Sequence, residues 1–348
     1  MGEKILVAMS GGVDSAAAAI LLKQQGFDVA GVTLRLTDLP EGDGGSSAVA
    51  DAAQAAELLG IRHFVLDLRD AFRREVIEPF ADGYLRGVTP NPCVICNRTV
   101  KFGRLLEEAR ALGYDLLATG HYANIDFTDG RPHLLRAADT KKDQTYVLYS
   151  LSPAVLAHVR FPLGGMHKPD IRRLAEEHGF VSAHRKDSQD ICFIPDGDYV
   201  RYLTEELHLT CPPGRFIDET GAVLGTHPGC WHFTVGQRKG LGMGFGRPMF
   251  VLSKDAVTGD VTLGDEPALF SDTLVAHSFN WIEPAPSGPI RATAKTRYSQ
   301  KEAAATAAVQ PDGTVQVRFD APQRAITPGQ SVVLYDGDRV LGGGIITV

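Results

Sequence analysis

The first 120 residues alternate short apolar runs with longer stretches of helical character. Ile5–Met9, Val29–Leu36, His63–Leu66 and Leu116–Thr119 have the length and apolar density of buried strands. Ala16–Gln25, Val49–Leu59, Phe72–Tyr84 and Thr99–Leu112 read as helices between them. Gly26 and Gly60 stand just past two of these helices, where a left-handed residue closes the last turn. Strands separated by helices predict an α/β domain built on a doubly wound, mostly parallel sheet.

After Gly120 the texture changes. Tyr122–Asp126 and Pro132–Arg136 flank Thr128-Asp129-Gly130, which predicts a hairpin with an Asp-Gly turn. A further helix is expected over Lys168–His178, closed by Gly179. From Cys211 onward the chain is punctuated by Gly and Pro, and Gly236–Gly246 reads as loop. Short alternating runs then recur at Ile290–Lys295, Ala303–Val309, Val315–Phe319, Ser331–Tyr335 and Gly342–Val348. They predict a small β-barrel or sandwich. The expected organisation is a catalytic domain over residues 1–205, a small central domain over 206–272 and a C-terminal β-barrel over 273–348.

Composition narrows the function. The 348 residues are 44% hydrophobic and 22% charged, ordinary for a soluble globular protein. No apolar stretch approaches the ~18 residues of a membrane-spanning helix, and no leader pattern precedes the first strand, so a cytoplasmic protein is expected. The net charge of −7 does not advertise a nucleic-acid binder. Basic groupings at Arg69/Arg73/Arg74, Arg98/Lys101/Arg104, His184/Arg185/Lys186 and Lys295/Arg297/Lys301 nevertheless leave room for a phosphate-backbone partner. Each grouping taken singly reads as a solvated face.

Two sites carry chemistry. Ser10-Gly-Gly-Val-Asp-Ser15 lies between the first strand and the first helix, where backbone N–H groups and the positive helix end favour phosphate. It lacks the Gly-Lys-Ser/Thr ending of a P-loop and the spacing of a dinucleotide fingerprint. Cys93-Val-Ile-Cys96 follows Asn91-Pro92 at a helix entry, where a thiol pKa is expected to fall. Alone, this pair is ambiguous among zinc, redox and iron–sulfur chemistry. Cys192 stands in a polar stretch, Lys186-Asp187-Ser188-Gln189-Asp190-Ile191-Cys192-Phe193, unusual for a core cysteine. Cys211 and Cys230 have no partner motif and read as structural. An odd count of five cysteines argues against a disulfide framework.

The Ser10–Ser15 loop resembles the pyrophosphatase loop of the N-type ATP pyrophosphatase superfamily. Together with Thr89-Pro90-Asn91-Pro92, Cys96-Asn97, Thr119-Gly120-His121-Tyr122, Lys142-Asp143-Gln144, Asp187–Ile194, Thr234–Gly242, Lys295–Tyr298 and Val340–Gly344, it resembles bacterial tRNA-specific 2-thiouridylases over essentially the whole chain.

The resemblance implies an adenine nucleotide α-hydrolase-like fold and thiolation of C2 of the wobble uridine in tRNAs for Lys, Glu and Gln. ATP would activate the C2 oxygen as an adenylate, and sulfur would displace AMP. Ala8, Met9, Ser10, Gly11, Gly12, Val13, Asp14 and Ser15, with Leu34 and Gly120, would hold ATP, and Asp14 would help place the phosphates and Mg²⁺. Cys192 would carry a persulfide and Cys96 would resolve it as a disulfide. Asn91, Pro92 and Cys93 would meet the target base, and Lys142, Asp143, Gln144, Arg297 and Tyr298 would contact tRNA. A sulfur-donor protein or sulfide is implied as a partner, and no membrane.

One departure bears on mechanism: many members carry Asp where this chain has Cys93. A thiol's higher pKa makes it a poor substitute for a carboxylate. Cys93 is either a tolerated variant or, with Cys96 and Cys192, one of three ligands of a [4Fe–4S] cluster. A second departure, Gly44-Gly45, receives no chemistry. Two rivals stand beside this reading. One is an amide-forming synthetase of the same superfamily, which leaves Cys96, Cys192 and the C-terminal domain without purpose. The other is a non-enzymatic scaffold, which leaves the Ser10–Ser15 loop unexplained.

Overall fold

A computed structural model describes residues 2–38, 48–180 and 191–347. Gly44-Gly45, the His184/Arg185/Lys186 grouping and Asp187–Asp190 lie outside the described residues.

In chain order the first elements are β1 (Lys4–Ala8), α1 (Val13–Gln24), β2 (Asp28–Arg35), α2 (Ala48–Leu59), β3 (Arg62–Asp67), α3 (Arg69–Phe72), α4 (Glu78–Leu85), α5 (Pro92–Cys96), α6 (Leu105–Ala111) and β4 (Leu116–Thr119). The hairpin strands β5 (Asn124–Asp126) and β6 (His133–Leu135) follow, then α7 (Thr145–Leu148), α8 (Pro153–Leu156), β7 (Val159–Arg160) and α9 (Lys168–Glu177). The later part holds α10 (Tyr199–Arg201), β8 (Gly214–Ile217), β9 (Val223–His227), β10 (Phe250–Lys254), β11 (Val261–Gly264), β12 (Phe270–Trp281), β13 (Ile290–Lys295), β14 (Ala303–Val309), β15 (Val315–Arg324), β16 (Ser331–Asp336) and β17 (Arg339–Thr347).

The chain divides into two compact units. The first comprises residues 1–76, 93–189 and 337–341; the second comprises 77–92, 190–336 and 342–348. In the first unit five strands form a parallel sheet in the order β3-β2-β1-β4-β7. Ile5, Leu6 and Val7 of β1 are fully buried, as the centre of a parallel sheet covered on both faces requires. Helix α1 is alanine-rich, and its small side chains let it lie close to the sheet; Ala16–Ile20 are all buried. Gly26, Gly60 and Gly179 each adopt positive φ just past a helix, as the sequence predicts.

The second unit holds two β-structures. Strands in the order β10-β11-β8-β9 form a small sheet, with β11 and β8 parallel and the other pairs antiparallel. Strands β12-β15-β14-β13-β16-β17 form an antiparallel sheet that closes on itself through β12–β17 pairing. Closure decides for the barrel over the sandwich. The sequence reading misses β12, twelve residues long, whose exposed Phe270, Ser271 and Asp272 blur the alternation at its start. It also starts the Thr99–Leu112 helix late: helical backbone begins at Pro92 and continues through wide turns over Asn97–Arg104 into α6. Proline in the first turn, where its missing N–H costs nothing, hides that start in a run that reads as loop.

Candidate functional site

The strand order reverses between β1 and β4, and the crevice beyond the carboxyl ends of such a pair is where open α/β sheets bind ligands. Met9–Gly12 leaves β1 there and enters α1. Met9 is fixed by its N–H donating to Val32 O at 2.8 Å and by the Thr33 hydroxyl donating to Met9 O at 2.8 Å. Gly11 sits at φ +72°, and a Cβ there would lie 2.8 Å from Asp51 Cβ and 2.9 Å from Ala48 O. Gly12 is the N-cap and makes no side-chain cap bond. The Ser15 hydroxyl accepts from Ser10 N at 3.2 Å and donates to Gly12 O at 2.9 Å, cross-bracing the loop. Gly120, one residue past β4, packs on the first turn of α1. A Cβ on it would fall 2.8 Å from the Asp14 carbonyl carbon and 2.9 Å from Ser15 N. Ala8–Ser15 and Gly120 are thus brought together, while Leu34 lies half-buried two positions beyond Val32 on β2.

Asp14 is half-buried and its carboxylate is partnered. Lys168 Nζ is 2.8 Å from both its carboxylate oxygens, and the Tyr122 hydroxyl donates to Oδ1 at 2.7 Å. A carboxylate in the first turn suits the helix dipole but repels an anion at the same place. The Lys168 ammonium cancels that repulsion. Sequence reasoning missed Lys168. The available signal was a cation at the first position of a predicted helix, where the dipole disfavours it; a distant acid had to compensate. Tyr122 carries the connection further: its N–H donates to Gln144 Oε1 at 2.9 Å, and Gln144 N–H returns a bond to Tyr122 O at 2.9 Å. The Lys142–Gln144 segment is therefore tied to the phosphate loop. Asp143 is buried and spent on structure, accepting from Ala137 N at 3.0 Å and the Thr145 hydroxyl at 2.6 Å.

The cysteine helix belongs to the same unit. Cys93 is exposed and Cys96 buried on the next turn. The expected fall in thiol pKa meets an opposing effect at Cys93. Cys93 keeps open surface, yet the protein beside its sulfur still costs the thiolate hydration and pushes its pKa up, and the Lys101 charge pulls only partly against that. Lys101, read from sequence as one of a solvated trio, also faces His121. His121 is buried and held neutral by burial, its Nδ1 2.7 Å from the Thr119 hydroxyl. Asn97 is buried, donates to Val147 O at 3.0 Å and leaves Oδ1 unpaired. That bond fastens the cysteine helix to α7, directly after Lys142–Gln144.

In the second unit Cys192 is exposed, and the next two residues, Phe193 and Ile194, are its buried anchors. Phe193 meets Phe80 and Tyr202 edge-on or tilted at 5.4 Å. The Thr89–Pro92 segment starts on the barrel: Thr89 N–H donates to Pro328 O at 3.0 Å, and Gln330 Nε2 to Thr89 O at 2.8 Å. Arg297 supports that anchorage. Its guanidinium donates to Val235 O and Ala325 O at 2.9 Å and to the Thr327 hydroxyl at 2.5 Å. Neighbouring Tyr298 is exposed, with Lys295 Nζ 5.9 Å from its ring centre. Among the described residues no group of three or more His, Cys, Asp or Glu side chains is placed to hold a metal ion, and no helix is long and apolar enough to cross a membrane.

A parallel α/β sheet with a glycine loop at its switch point, followed by an antiparallel barrel, defines a phosphate-binding enzyme with an accessory β-module. Residues 3–196 match the family described as tRNA methyl transferase HUP domain, 201–265 the tRNA methyl transferase PRC-barrel domain, and 271–346 the aminomethyltransferase β-barrel domain. The "tRNA-specific 2-thiouridylase MnmA" of Clostridium perfringens is 47% identical over 352 residues, covering 99% of this chain and 98% of the relative. That of Syntrophotalea carbinolica is 49% identical over 346 residues, covering 99% and 98%. The chain belongs to the tRNA-specific 2-thiouridylase family. Among solved structures, a 4-thiouridine synthetase–RNA complex with bound ATP aligns at TM-score 0.40 and 19% identity, covering 59% of this chain and 50% of that one.

Proposed function

We propose that this chain is a tRNA-uridine 2-sulfurtransferase, acting in the cytoplasm on the wobble uridine of tRNAs for Lys, Glu and Gln. The observation that carries the reading is 47–49% identity over nearly the full length to 2-thiouridylases, in a chain that has the glycine loop, Cys96 and Cys192. The uracil C2 oxygen attacks the α-phosphorus of ATP, and pyrophosphate leaves. Loop N–H groups and the α1 N-terminus receive phosphate charge, and Lys168 neutralises Asp14 beside it. Asp14 is the loop's own carboxylate and already holds a cation. Mg²⁺ in this reading would arrive with the phosphates, and Asp14 is the loop carboxylate that would meet it.

Sulfur enters as a Cys192 persulfide: the Cys192 thiolate takes the outer sulfur of a donor protein's persulfide, and the donor's thiolate leaves. Its terminal sulfur attacks C2 and AMP leaves. Cys96 then attacks Cys192 Sγ, releasing 2-thiouridine and leaving a Cys96–Cys192 disulfide that an external thiol reduces. Residues 1–205 serve catalysis, 206–272 form a central module, and the barrel of 273–348 meets tRNA. Tyr298 is the stacking residue there, with Arg297 shaping the ground beneath it.

Cys93 in place of the family's aspartate favours one alternative for the sulfur step, a [4Fe–4S] cluster on Cys93, Cys96 and Cys192. Iron and acid-labile sulfide are measured in anaerobically purified protein; active enzyme lacking both ends that alternative.

The main test incubates the chain with unmodified tRNA, ATP and a sulfur source. Nucleosides are analysed by mass spectrometry, and pyrophosphate release is followed alongside. The expected result is 2-thiouridine and tRNA-dependent release. Release that requires a carboxylic acid instead of tRNA overturns the proposal.

A further inference from the structure

The small sheet of the second unit carries two cysteines that adenylation and sulfur transfer do not use. In the β8–β9 hairpin Gly214 pairs with His227, Arg215 with Thr226 and Phe216 with Gly225. Cys211 stands three residues before Gly214 and Cys230 three residues after His227, so the same register sets them opposite one another at the hairpin's open end. The side chains lie close enough for the Cys211 sulfur to act on the ionisation of Cys230. Cys211 Sγ also lies against Gly229, where a Cβ would come within 2.5 Å of it. Cys211 is half-buried and Cys230 buried. The sequence reading gives both a packing role, but two neighbouring thiols, one reachable from solvent, are arranged for exchange chemistry. Lys254 of β10 adds a positive charge that acts on both sulfurs.

We propose that Cys211 and Cys230 are a redox-active dithiol that closes to an intramolecular disulfide, a modification site separate from the sulfur-transfer cysteines. The oxidant is a low-molecular-weight disulfide. The Cys211 thiolate attacks one of its sulfurs, forming a mixed disulfide and expelling one small thiol. The Cys230 thiolate then attacks Cys211 Sγ and expels the second. Two protein thiols lose two electrons and two protons, and the small disulfide gains both. Burial and the neighbouring Cys211 push the Cys230 thiol up to about 11. Cys211, the more accessible of the two, is the attacking sulfur and Cys230 the resolving one. The product ties the base of the hairpin, enclosing Pro212–Gly229.

The full chain is equilibrated in glutathione buffers of increasing oxidised fraction, quenched with acid, alkylated with N-ethylmaleimide and mapped by peptide mass spectrometry. Alkylation of Cys211 and Cys230 is expected to fall together, roughly tenfold between the most reducing and most oxidising buffers. A linked peptide two hydrogens lighter appears in step. In Cys230→Ser, Cys211 stops at the glutathione mixed disulfide. The proposal is overturned if both cysteines stay alkylatable at every ratio. It is equally overturned if wild-type Cys211 accumulates glutathione with no linked peptide. Peptide mapping reads Cys96 and Cys192 separately, so the outcome does not depend on the thiouridylase reading.

Discussion

The phosphate loop and the cysteine helix are neighbours in one compact unit, and they are built on opposite principles. The loop works through backbone. Its glycines set the path, Ser15 braces it, and the donors it offers are N–H groups that any residue supplies. The cysteine helix works through side chains whose properties come from elsewhere. Lys101 and surrounding protein set the Cys93 thiol, and Asn97 reaches α7 to hold the helix. A backbone site depends first on shape; a side-chain site depends first on the charges and burial around each group.

The sharpest break of that contrast is Gly11→Ala. The added methyl meets Asp51 Cβ and Ala48 O below 3 Å at a left-handed φ. Strain of about 1–3 kcal/mol follows, and the loop's path shifts. ATP-dependent pyrophosphate release is expected to fall by ~100-fold or more, since misplacement of about 1 Å costs that much. Isothermal titration with a non-hydrolysable ATP analogue checks that binding, not only turnover, is lost. Unaltered binding would mean that the loop's shape is not what holds phosphate.

Lys168→Met ranks second. It strands the Asp14 carboxylate beside the loop, and breaking a buried pair by removing one partner costs about 3–5 kcal/mol. Asp14 is partly exposed, so the lower end is expected in urea unfolding. The double variant Asp14→Asn with Lys168→Met should recover part of that stability without recovering ATP affinity. Full recovery of both would reduce the pair to a structural tie.

The same contrast explains what was legible in the sequence. The parallel sheet and the glycine loop were readable because they rest on local periodicity and on glycines with no other reason to be there; Gly120 came only from the resemblance. Lys168 was not, since its partner lies 154 residues away and only the folded sheet brings α9 against α1. Arg297 was placed on tRNA by resemblance, yet its guanidinium is spent on Val235, Ala325 and Thr327. The arginine's position in sequence carried no sign of that, because all three acceptors are non-local. Strand β12 was lost because its first residues are exposed, which erases the period-two pattern.

Arg297 and Tyr298 bring the comparison to the barrel. Tyr298→Ala should weaken tRNA binding by about 1–3 kcal/mol, the worth of one stacked base, with melting temperature unchanged. Arg297→Ala should lower stability by about 1–3 kcal/mol, since Val235 O loses its donor while Ala325 O keeps only the Thr327 hydroxyl. It should leave the salt dependence of tRNA binding unaltered, because its charge is not offered to phosphate. Filter binding across a salt series, beside thermal unfolding, separates the two. A slope reduced by one phosphate contact in Arg297→Ala would return the guanidinium to the RNA interface.

The smallest effect is the cleanest test of the side-chain half. Burial raises the Cys93 pKa and Lys101 lowers it, with burial the larger influence. The reactive thiolate is therefore scarce at neutral pH, and iodoacetamide labelling of Cys93 should titrate above the ordinary thiol range. Removing the charge in Lys101→Met takes away the opposing influence, so the midpoint moves further up. Labelling at fixed neutral pH then slows. Lys101→Arg keeps the charge and should restore the wild-type rate, which a purely steric role would not do. A midpoint that moves down in Lys101→Met would mean that the lysine shields Cys93 instead of stabilising its thiolate. Cys93 would then be governed by local shape, like the loop.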